Sequence, residues 1–133
     1  MVKRARPNVV DSSAWLAYFA DEPTAAHFAA PIEHVAQLVV PAFCLTEVFK
    51  VVARQRGEGD ALQVAAVMQQ GQVVPLDESL ALLAAKVGAQ HGLPLADSIV
   101  FATAVMVGGV VWTQDDDFKD LPDVQYYPKQ RVR

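Results

Sequence analysis

The sequence predicts an α/β fold, a three-layer α/β/α sandwich built on a mainly parallel sheet. Short apolar runs at Asn8-Val9-Val10, Leu38-Val39-Val40, Val73-Val74 and Gly109 to Thr113 carry almost no polar alternation, as strands buried on both faces do. Helical stretches separate these runs, and that alternation is the pattern of a parallel sheet with helices packed over it. Size adds a third argument. A chain of 133 residues with 53% hydrophobic content has material for one core and little room for a second, so residues 1–133 are expected to form a single domain.

Each element has a local reason. The first strand ends at Asp11, and a helix is expected from Ser13 to Ala20. Asp21-Glu22-Pro23 reads as a second helix start, with acids and a proline in the first turn, and Pro31 is expected to interrupt that helix. Pro41 closes the second strand. A long helix then runs from Ala42 to about Arg56, ended by Gly57 and Gly59, and another from Asp60 to Gln70, stopped by Gly71. After the third strand, Asp77 caps a helix reaching Gln90, with His91-Gly92 as its C-terminal signature. Leu95 to Val107 is helical and leads into the fourth strand. A short helical turn at Asp116 to Lys119 precedes an edge strand at Val124-Gln125-Tyr126.

Composition narrows the function classes. With charged residues at 20%, the chain is no disordered or low-complexity segment. The single cysteine, Cys44, excludes an internal disulfide and a cysteine-rich metal cluster, and fits a reducing cytoplasm. A formal net charge of -4 argues against a generic polyanion binder, although six of the 11 basic residues lie near the ends: Lys3, Arg4, Arg6, Lys129, Arg131 and Arg133. Between them stand all 15 acids and only Lys50, Arg54, Arg56, Lys86 and Lys119. Pro7 and Asp11 break what would be the apolar core of a secretion signal, and Gly108-Gly109 breaks the uncharged run from Ser98 to Gln114, so no membrane association is expected.

Most acids have an ordinary place. Asp21, Glu22, Glu58, Asp60, Asp77 and Glu78 fall at expected helix starts, where they complement the dipole. Four positions resist this. Asp11 ends the first strand, at the end of a parallel strand where open sheets collect ligands, though it can equally cap the next helix. Glu47 shares a helical face with Phe43, Cys44 and Val51, so its carboxylate sits where the pattern wants apolar groups. Asp97 repeats the anomaly beside Val100, Phe101 and Ala104, with local capping as the alternative. Asp115-Asp116-Asp117 follows the fourth strand directly, and three successive acids repel one another unless something positive is near. All four positions can converge on one rim of a parallel sheet. Convergent carboxylates without His or Cys favour hard Mg²⁺ or Mn²⁺ over Zn²⁺, and such a site suits phosphodiester hydrolysis.

The series Val10-Asp11-Ser12-Ser13, Pro41-Ala42-Phe43-Cys44-Leu45-Thr46-Glu47-Val48, Gly92-Leu93-Pro94-Leu95-Ala96-Asp97 and Thr113-Gln114-Asp115-Asp116-Asp117-Phe118 resembles the PIN-domain nucleases, most closely the VapC-like toxins of type II toxin–antitoxin pairs. The resemblance spans essentially the whole chain. It implies strand order 3-2-1-4-5 and a Mg²⁺- or Mn²⁺-dependent endoribonuclease. It places metal ligands on Asp11, Glu47, Asp97 and Asp115, with Asp117 as a further candidate. Ser13 and Thr113 match hydroxyl positions that orient the acids or a metal-bound water, while Asp116 has no counterpart and is expected to face outward. The resemblance also implies an RNA substrate, a cognate antitoxin protein and a homodimer; the apolar stretch Val48-Phe49-Val51-Val52 permits the last. The basic tails, Arg54, Arg56 and Lys119 are candidates for flanking phosphates, with a solvated surface as the plainer alternative.

Rival readings fit less well. A phospho-receiver module would carry an acidic cluster early in the chain and a Lys after the last strand, and a haloacid-dehalogenase-type phosphatase would carry Asp where Ser13 stands. A PIN-fold RNA-binding or RNA-processing protein without catalysis is the nearer alternative, though all four acids are present.

Overall fold

The structure is a computed structural model and describes residues 5–130. Lys3, Arg4, Arg131 and Arg133, part of the expected basic tails, lie outside the described residues. Five parallel strands form the sheet: β1 (Asn8–Val10), β2 (Leu38–Pro41), β3 (Gln72–Val74), β4 (Val110–Thr113) and β5 (Val124–Tyr126), in the order β3-β2-β1-β4-β5. Six helices connect them: α1 (Ser12–Phe19), α2 (Ala25–Glu33), α3 (Ala42–Arg56), α4 (Glu58–Met68), α5 (Glu78–His91) and α6 (Leu95–Val107). Short 3₁₀ turns lie at Val35–Gln37 and Asp116–Phe118. The chain steps outward from β1 to β2 and β3, then crosses back to β4. Right-handed crossovers put connections of opposite direction on opposite faces of a sheet, which gives the expected three layers.

Packing explains why these runs become strands. Val9, Val10, Val40 and Val111 are fully buried in the sheet, covered by Trp15, Phe28 and Val48 from the helices. β1 pairs β4 with Val10 opposite Trp112, and the Asp11 amide donates to the Trp112 carbonyl at 3.1 Å, so the residue after β1 is still fixed by the sheet.

Several ends shift by one or two residues; α4 starts at Glu58 rather than Asp60, so Gly59 lies inside it rather than ending α3. Three further differences have a clear physical cause. Pro31 does not break α2, which continues to Glu33. The ring lies within about a turn of the helix end, removes one backbone bond, and is buried with Phe28 and Ile32, burial that offsets the loss. Asp21-Glu22-Pro23 is a turn rather than a helix start: Asp21 takes a left-handed φ of 52°, the Glu22 carbonyl accepts from the Ala25 amide, and the helix begins only there. Gly109 precedes β4 instead of opening it. A Cβ there would stand 2.7 Å from the Pro7 carbonyl oxygen, a close backbone approach that only glycine allows.

Candidate metal centre

Asp11 is built in by the strand-to-helix turn. It is the N-cap of α1, so the alternative reading as a cap holds, and its Oδ1 accepts from the Ala14 amide at 3.1 Å and the Ser13 hydroxyl at 2.7 Å. Its Oδ2 accepts from Thr113 Oγ1 at 3.0 Å, and only 4% of the residue is exposed. Thr113, fully buried at the end of β4, accepts in turn from the Asp115 amide at 2.9 Å. One threonine hydroxyl therefore ties the residue after β1 to the residue two beyond β4. Ser13 closes the arrangement by accepting from the Gln114 amide at 3.3 Å.

Asp97 stands in the first turn of α6 but caps nothing; the N-cap is Pro94, without a side-chain bond. Capping thus fails as the alternative for Asp97. Asp115 caps the 3₁₀ turn, its Oδ1 accepting from the Asp117 amide at 2.9 Å, and Asp116 faces solvent as expected. Asp11, Asp97 and Asp115 each present a carboxylate oxygen within 4.8 Å of the others. Asp117 comes close enough to Asp97 to share a proton with it. Glu47 stays outside this three-way meeting. Half-buried on α3, it accepts from the Ser12 hydroxyl at 2.7 Å and borders the cluster across the buried Cys44, whose thiol is pushed up by burial and by the charges of Asp11 and Glu47.

Electrostatics mark the cluster as unbalanced. Burial is the largest cause raising Asp11 from 3.8 to about 6, against the bonds from Ser13, Ala14 and Thr113 that pull it down. Asp97 rises to about 8, from burial first, then the charge of Asp115, its contact with Asp117 and the charge of Asp11. At a separation of 4.8 Å each ionised pair repels by about 3.5 kcal/mol at an effective dielectric of 20. Among the described residues the ion pairs are Arg6–Asp123 and Arg56–Asp60, so no basic side chain neutralises the cluster. Oxygen-only donors with surplus negative charge fit a hard divalent cation.

A family model for the PIN domain matches residues 9–124. The chain belongs to the PIN domain family. As a PIN domain it shares its fold with solved structures at low sequence identity. A toxin–antitoxin complex from Klebsiella pneumoniae is similar over 92% of this chain and 98% of that one, at a TM-score of 0.76 and 18% identity. VapC20 of Mycobacterium tuberculosis, a toxin that cleaves the sarcin–ricin loop, is similar over 91% and 99%, with a TM-score of 0.73 and 18% identity. A DNA-bound VapBC complex from Salmonella typhimurium covers 93% and 98%, at 0.71 and 13% identity. No curated protein sequence matches significantly. Among the described residues of this PIN domain, no helix is long and apolar enough to cross a membrane.

Two positions escaped sequence reasoning. Ser12 holds Glu47, and the Asp-Ser-Ser run after β1 was the available signal, since residues at N1 and N2 of α1 sit on the same rim. Thr24, 1% exposed, donates to Gln114 Oε1 at 2.7 Å and pins the loop after β4; nothing local in the sequence announces this.

Proposed function

We propose that this PIN domain is a divalent-metal-dependent endoribonuclease that hydrolyses RNA phosphodiester bonds, and the toxin of a type II toxin–antitoxin pair. The observation that carries the reading is the meeting of Asp11, Asp97 and Asp115 on the strand-end rim, with no basic side chain paired to them among the described residues. Those three would hold the ion, with Glu47 and Asp117 on its flanks. Mg²⁺ or Mn²⁺ bound there supplies Lewis-acid polarisation of a phosphate oxygen and a counter-charge for an anionic substrate.

The chain's own part is positional. Ser13, Thr113 and the Ala14 amide fix both oxygens of Asp11, so this carboxylate is oriented before anything binds. Burial and the neighbouring acids push the Asp97 carboxyl up to about 8, so a cation held there would displace its proton. Asp115 accepts the Asp117 amide on one oxygen, which fixes the carboxylate at the edge of the cluster. Ser12 steadies Glu47 at the edge. The helices α1, α3 and α6 begin at this rim, and their N-terminal dipoles favour the anions gathered there. The likeness in fold to a toxin that cleaves the sarcin–ricin loop supports RNA as substrate, and the likeness to VapBC complexes supports an antitoxin partner. A homodimer working in the cytoplasm completes the proposal.

Incubation with structured RNA and Mg²⁺, beside Asp97→Asn, tests it. The wild-type protein should cleave, EDTA should stop it, and the substitution should cost at least about 100-fold. Equal cleavage by both proteins would expose a contaminant and refute the assignment. For the toxin role, a short upstream reading frame encoding a DNA-binding antitoxin is expected, and an isolated gene counts against it.

A further inference from the structure

A second concave surface adjoins the acidic rim. Phe43, Thr46, Glu47, Lys50, Val51 and Arg54 line a groove of about 410 Å³ along one face of α3. Lys50 and Arg54 follow Glu47 at i+3 and i+7, so the helical repeat sets them in a row leading away from that carboxylate. Both are exposed, and neither joins an ion pair among the described residues. Arg56 differs: its Nε bonds Asp60 at 3.1 Å, and it lines a separate pocket with Phe19 and Val67. Only five basic residues lie in the acidic body of the chain, and two of them, unpaired, share the groove that contains Glu47.

An acidic rim repels a polyanionic strand everywhere except where an ion sits. Holding the strand therefore requires positive charge next to the rim, along the path of the backbone. We infer that Lys50 and Arg54 bind phosphates of the RNA strand that flank the scissile bond, with Phe43 and Val51 as apolar lining of the same groove. The two side chains leave the helix one turn apart, about 6 Å along its axis, within reach of successive phosphates. Arg54 offers a planar fork to phosphate oxygens and Lys50 a mobile point charge. The inference rests on the nuclease reading for its substrate, but it concerns binding rather than cleavage.

The test is fluorescence anisotropy of a labelled, non-cleavable 2′-O-methyl single-stranded RNA in Mg²⁺, over a salt series. It compares the wild-type protein with Lys50→Gln plus Arg54→Gln, and with Arg56→Gln as a control on the same helix. Each lost phosphate contact on a single strand lowers the slope of log affinity against log salt by about 0.7. The double variant should lose about 1.4 of slope and bind about 25-fold more weakly at 0.1 M salt, while taking up Mn²⁺ as the wild type does. Arg56→Gln should leave the slope unchanged. An unaltered slope in the double variant, or an equal loss in Arg56→Gln, overturns the inference. RNA binding with the expected slope change but no Mn²⁺ uptake by the wild type would sink the nuclease reading and leave the groove standing.

Discussion

Replacing Asp97 with Asn isolates the conflict stored in the acidic rim. The substitution keeps the shape of the side chain and removes a charge that stands among Asp11, Asp115 and Asp117. A carboxyl whose folded-state pKa lies at about 8 rather than 3.8 binds its proton more tightly in the native than in the unfolded chain. Stability is therefore lost as pH rises from about 4 through 8, and the loss is complete above that. Fully desolvated, a rise of that size corresponds to roughly 6 kcal/mol, but Asp97 is only half-buried and solvent screens most of it, which leaves a contribution of about 1–2 kcal/mol. Thermal unfolding at pH 8 in EDTA should show Asp97→Asn melting about 4–8 °C above the wild type, at about 4 °C per kcal/mol for a domain of this size. Added Mn²⁺ should reverse the order, because it stabilises the wild type far more than the variant. A variant less stable than the wild type in EDTA at pH 8 would refute the claim that the carboxylates oppose one another.

Other consequences follow from the same contacts. Thr113→Val keeps the volume but strands an oxygen of Asp11 and the amide of Asp115, so urea unfolding should register a loss of about 2–4 kcal/mol. Gly88→Ala drives a methyl group into Ser98, next to Asp97, where α5 and α6 pack closest; a destabilisation of about 1–3 kcal/mol with weaker Mn²⁺ binding is expected, read by melting and metal titration. Cys44, buried with its thiol held protonated, should resist iodoacetamide at pH 8 until the chain is unfolded, as mass spectrometry will show.

The sequence exposed what local pattern can express. Strands buried on both faces show as unbroken apolar runs, so β1, β2 and β4 were legible, and so was their separation by helices. Glu47 and Asp97 stood out because a charge among apolar helical neighbours violates the period, whatever the fold. Three-dimensional closeness was less visible. The period could place Glu47 toward the core, yet only the structure shows that it meets Ser12 instead of joining Asp11, Asp97 and Asp115. The Thr24–Gln114 bond joins residues far apart in the chain, and Pro31 stays inside α2 because of packing that no local rule includes. Among the bases the sequence offered Arg54 and Arg56 alike and passed over Lys50, since exposed bases on a helix look the same whether they line a groove or only meet water; only the structure separates Lys50 and Arg54 in the groove from Arg56 beside Asp60.

Calorimetric titration of the metal-free protein with Mn²⁺ at pH 7, repeated in buffers of different ionisation enthalpy, reads both the ion and the proton it displaces. One cation should bind with release of about one proton, since the Asp97 carboxyl at about 8 is still largely protonated there, and Asp11→Asn should weaken the binding. Absence of binding, or binding that releases no proton, would contradict the idea that folding assembles these carboxylates around a missing positive charge.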